Sequence, residues 1–173
     1  MSLSEEKRLQ IRKYIEQNYI PIMEEASTKV HKSKRNCEAT EVYGLLDDEN
    51  ALRRKIDKYL DDTWQTALFD IINEKCLDEV EVYKRGYLTK QTFSKIRNDA
   101  EYHPDKDTAI RLCIGLKLNL DETLDLLSKA GYTLSRSLER DLIIRFFIEN
   151  KEYDIIEIDC ALEDNGLKQF LKY

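Results

Sequence analysis

From Trp64 onward the chain is cut into short apolar-periodic runs, most of them preceded by a side chain able to cap a helix. Asp78 precedes a run over 79–85, Thr89 one over 90–98, and Asp107 one over 108–117. Asn119 with Glu122, and Asp154 with Glu157, repeat the capping-box spacing, and Gly131 and Gly166 stand where helices stop. Runs that start on a cap and place apolar residues three and four apart are helices, so the expected fold class is all-α. Two Pro and five Gly in 173 residues would leave an all-β fold short of turn residues, and a 42% hydrophobic fraction suffices for a core.

The patterns also predict which faces turn inward. Ile11, Tyr14, Ile15 and Tyr19 mark a first helix, limited by Pro21, with Glu5 and Glu6 in its positive first turn. Leu52, Ile56, Tyr59 and Leu60 predict a packing helix over 49–60. Trp64, Ala67, Leu68, Ile71 and Ile72 line a helix ending near Cys76. Phe93 and Ile96 face inward from 90–98, and the run over 108–117 is apolar nearly all round, which predicts a central position in the core. Leu138, Leu142, Ile143, Phe146 and Phe147 either close the core or present a dimer surface. The domain boundary is placed near Asp61-Asp62, giving an N-terminal helical region over 1–62 and a second domain over 63–173. Residues 26–40 form a basic polar segment, read as a basic arm or a solvated helix end.

Little points to catalysis. His31 and His103 have no partner at a catalytic spacing, and no Walker loop, zinc-protease pair or nucleophile elbow occurs. Cys37, Cys76, Cys113 and Cys160 lie 39, 37 and 47 residues apart, which is neither a zinc nor a disulfide framework. Cys76 and Cys113 read as small buried hydrophobes. The expected protein is therefore non-enzymatic, without cofactor or metal. No long apolar run or secretory leader is apparent, so a cytoplasmic protein with no membrane partner is expected.

Charge supplies the strongest functional signal. The chain carries −6 overall, which argues against indiscriminate adhesion to nucleic acid. Segments 1–36, 37–83, 84–98 and 99–173 carry +3, −8, +5 and −6. The one stretch without acid holds Lys84, Arg85, Lys90, Lys95 and Arg97, a pattern suited to phosphate.

The run Asp78-Glu79-Val80-Glu81-Val82-Tyr83, then Tyr87-Leu88-Thr89-Lys90-Gln91-Thr92-Phe93-Ser94-Lys95-Ile96-Arg97, resembles the core of a lambda-repressor-like (XRE-type) helix-turn-helix domain. The run Thr108-Ala109-Ile110-Arg111-Leu112-Cys113-Ile114-Gly115-Leu116-Lys117, through Leu124, looks like that family's later helix pair, so the resemblance spans about residues 64–131. It implies a helix-turn-helix core with a C-terminal two-helix extension, and binding to double-stranded DNA as a transcriptional regulator or accessory module. The start of the recognition helix would enter the major groove, which maps onto Thr89, Lys90, Gln91 and Thr92 with Lys95 one turn on. Gln91 suits adenine, while Lys90 and Lys95 suit guanine or phosphate. Lys84, Arg97 and Lys106 complete the expected DNA-binding set. A homodimer is the expected arrangement for reading two half-sites. Glu79, Tyr83 and Tyr87 depart from the family pattern and motivate the alternative, a protein-interaction module that keeps the fold and has lost DNA binding.

Overall fold

The structure, a computed structural model, describes residues 3–20 and 63–171. The expected packing helix over 49–60, the basic segment over 26–40, His31 and Cys37 lie outside the described residues. Among those described there are eight helices and no strand. We number them α1 (Glu5–Asn18), α2 (Trp64–Glu74), α3 (Glu79–Arg85), α4 (Lys90–Asn98), α5 (Lys106–Gly115), α6 (Leu120–Lys129), α7 (Glu139–Glu149) and α8 (Ile155–Asp164).

Caps set most of these boundaries. Ser4, Thr63, Asp78 and Thr89 each accept a backbone N–H of the first turn that follows. Asn119 and Glu122 form the reciprocal capping box, with bonds of 2.8 and 2.9 Å. The α5 cap differs from expectation. Asp105 accepts from Thr108 N at 2.8 Å, and α5 starts at Lys106. Asp107 turns away, its carboxylate meeting Arg140 at 2.7 Å and Lys168 at 2.9 Å. Glu157 likewise serves a contact other than a capping box, taking Lys7 at 2.7 Å, while Asp154 alone caps α8.

Helix α5 occupies the centre, with Ala109, Ile110, Leu112, Cys113, Ile114 and Gly115 all buried. Burial pushes the Cys113 thiol up to about 12, so it packs as a hydrophobe. Helices α3 and α6 pack on α5, α2 packs on α6, and α4 follows against α3. The α3–α5 crossing depends on glycine. A Cβ on Gly115 would lie 2.5 Å from the Val82 carbonyl oxygen, and one on Gly86 would lie 2.9 Å from that of Arg111. The backbones can approach this closely only where side chains are absent.

Helices α7 and α8 close the other side of the core through Leu142, Ile143, Phe147, Ile155, Ile158 and Leu162, all fully buried. Each such side chain gains roughly 1.5–3 kcal/mol over an exposed one. Leu138 is the exception within the predicted stripe. It precedes α7 and is 48% exposed. Helix α1, grouped by its sequence with residues 1–62, belongs with residues 63–171 to one compact unit. It packs on α7, where Ile11 is buried and Tyr14 meets Phe146 edge-on at 5.4 Å. Lys7 fastens it to Glu152 at 2.8 Å and to Glu157. Burial draws the Lys7 ammonium down, but the two carboxylates outweigh it and hold it above its ordinary value.

Candidate nucleic-acid interface

Helix α4 is amphipathic in a way that fixes what it offers to solvent. Phe93 and Ile96 are buried, with the Phe93 ring 6.0 Å from Phe69 of α2 and 5.5 Å from Tyr83 of α3. Tyr83 thus joins the two motif helices through ring contact. With that face inward, Lys90, Gln91 and Lys95 stand exposed on the other, and Lys84 stands exposed at the end of α3. Among the described residues none of these three lysines has a carboxylate partner.

The remaining expected contacts are placed differently. Thr89 caps α4, accepting from Thr92 N at 3.1 Å with the two hydroxyls 2.9 Å apart, so both oxygens are engaged locally. Arg97 stays exposed but leans toward α2 and α3. Its guanidinium pairs with Glu79 and lies 5.2 Å from the centre of the Phe69 ring. This pairing also neutralises Glu79, the anion at the start of α3. Lys106 stands apart from the others, its ammonium bound by both oxygens of buried Asp141 at 2.6 and 2.9 Å. An ammonium so held is not available to phosphate without uncovering a carboxylate that is 1% exposed.

The α3–α4 turn is held by a residue the sequence did not single out. Arg111 of α5 donates through Nε to the Gly86 carbonyl at 2.8 Å and through Nη2 to that of Tyr87. Burial lowers the Arg111 pKa, with Asp105, Asp159 and Asp107 acting the other way. A guanidinium nevertheless stays charged. The one signal for it was a cation in the middle of an otherwise apolar helix. Tyr87, so pinned, has φ +52° and is 46% exposed.

Two other expectations concern sulfur and imidazole. Cys76 does not pack inside a helix: it lies beyond the end of α2 with φ +50° and is exposed. His103 is a loop residue with its ring 5.6 Å from that of Tyr132, whose hydroxyl donates to the Pro104 carbonyl at 3.0 Å. Among the described residues no three His, Cys, Asp or Glu side chains come together as a metal site, and no helix is long and apolar enough to cross a membrane. In comparisons with known proteins, no family model, no curated protein and no solved structure matches the chain.

Proposed function

We propose that this chain is a non-enzymatic, cytoplasmic DNA-binding protein in which α2–α6 form a lambda-repressor-like core and α4 enters the major groove of double-stranded DNA. One observation carries the reading. The outward face of α4 and the end of α3 present Lys84, Lys90 and Lys95 without a carboxylate partner among the described residues, inside a chain that is acidic overall. Gln91 lies between the lysines and has the donor and acceptor needed for adenine, a pair worth about 1–3 kcal/mol of discrimination. Lys84 and Lys95 then neutralise phosphate, and Arg97 serves the interface from behind by masking Glu79. A homodimer would set two copies of α4 about 34 Å apart, one turn of duplex.

An electrophoretic shift with genomic DNA fragments at low salt tests this directly. Retardation that fades steeply as salt rises is expected, and no retardation at the lowest salt overturns the reading. A second reading, a protein-interaction module, is favoured by the exposure of Val80 and Tyr87 on α3 and the turn after it. It predicts one stoichiometric protein partner that survives nuclease treatment.

A further inference from the structure

Beside the α3–α4 turn lies an open groove of about 570 Å³. Lys84 and Arg85 from α3, Lys117 from beyond α5 and Lys151 from beyond α7 line it, together with the rings of Tyr87 and Tyr153. These six residues come from three stretches far apart in sequence, so their charge is not visible in any one segment. Among the described residues the only carboxylate in the lining is Asp154, which is occupied in capping α8 through Ile156 N at 2.9 Å.

The lysines are not there to complete the helix ends. Each of the three helices closes with its own backbone bond: Leu88 N to Tyr83 O at 2.8 Å, Leu118 N to Cys113 O at 3.1 Å, and Glu152 N to Phe147 O at 2.9 Å. Such closures put the preceding residue in the left-handed region, where glycine is favoured. Gly131 and Gly166 fill that position after α6 and α8. In the groove it is filled instead by Tyr87, Lys117 and Lys151, with φ of +52°, +52° and +59°. Three of the four non-glycine residues with positive φ among the described residues thus line the groove, the fourth being Cys76 after α2, although this conformation disfavours a side chain. Among the described residues Lys84, Lys117 and Lys151 have no ion pair. Tyr153 is fixed by its hydroxyl, which donates to the Leu118 carbonyl at 3.0 Å, whereas the Tyr87 ring stands open.

We infer that this groove binds the phosphodiester backbone of a nucleic acid strand, with Lys117 and Lys151 each neutralising a phosphate and Tyr87 offering a face to sugar or base. An open groove lined by cations from three stretches and by two aromatic rings fits that ligand better than a small anion, which needs one convergent cluster. The inference deepens the duplex reading and rests on its premise that the chain binds nucleic acid. The phosphodiester itself can come from duplex or from a single strand.

The deciding experiment follows fluorescence anisotropy from about 50 to 200 mM salt with two probes, a duplex of about two turns and a thymine homopolymer of equal length. The Lys117→Gly, Lys151→Gly variant is informative because both changes suit the local backbone, so it should melt no lower than the wild type. It is expected to bind more weakly, with the slope of log affinity against log salt shallower by roughly 1.8 on duplex, or roughly 1.4 on single strand. If only the single strand binds the wild type and the variant loses it, the groove stands and the duplex reading falls. If the variant matches the wild type in slope and affinity while Lys90→Glu, Lys95→Glu abolishes duplex binding, the groove is overturned and α4 stands. Binding of neither probe overturns both.

Discussion

Cations in two regions of this molecule do different work. Around α7 and α8 most are bound into the fold, Lys106 on Asp141, Arg140 and Lys168 on Asp107, Lys7 on Glu152 and Glu157, and Arg8 on Asp164, with Lys151 the exception at the groove. Around α3 and α4, Arg85 and Arg97 pair with Glu81 and Glu79, whereas Lys84, Lys90 and Lys95 have no such partner among the described residues. The same residue type is structural where a carboxylate faces it and available for a ligand where none does. Net charge cannot tell these cases apart, because it counts both alike.

The largest expected difference lies at Asp141. Its buried carboxylate accepts from the half-buried Lys106 and from Ser135 N, the latter at 2.8 Å. Asp141→Ala leaves the Ser135 N–H and a half-buried ammonium unpaired, and should cost about 3 kcal/mol in chemical denaturation. A loss within 0.5 kcal/mol, roughly the range for surface changes, would remove the distinction between bound and available cations. Gly115→Ala comes next. Its Cβ would press on the Val82 carbonyl, separating α3 from α5, and about 2 kcal/mol of stability should go with it.

Asp107 supplies a smaller, pH-dependent effect. Burial raises its carboxyl, but Lys168 and Arg140 outweigh this and hold it below the usual carboxylate value. A pKa lower in the folded state means stability that is fully present above the unfolded value near 4 and is lost as pH falls through the folded one. Acid titration of folding should therefore show Asp107→Asn less stable than the wild type near neutrality by about 1 kcal/mol, the two converging at low pH. A constant difference across pH would assign the effect to packing instead.

The legible part of this architecture was the part decided locally. Asp78, Thr89 and Asn119 cap the helices they precede, and Phe93, Ile96, Leu142 and Phe147 face inward because three- and four-residue spacing dictates it. Asp105 and Asp107 illustrate the limit. Either can cap a helix from that position, and Arg140, 33 residues away, draws Asp107 elsewhere. The Lys106 contact is hidden for the same reason, since its partner Asp141 lies 35 residues on. Leu138 reads as core from spacing alone but falls just before the helix begins, where the inward face has not yet formed. Of the expected site, Lys84, Lys90, Gln91 and Lys95 are exposed together. The pairing of Arg97 with Glu79 needed the crossing of two helices to be seen.

The smallest expected change in stability belongs to the available cations, and there the central claim is most directly tested. Lys90→Glu with Lys95→Glu should be measured for unfolding and for duplex binding on the same preparation. The account predicts stability within roughly 0.5 kcal/mol of the wild type and loss of binding at every salt concentration. Retained binding, or a fall in stability comparable to that of Asp141→Ala, would contradict it.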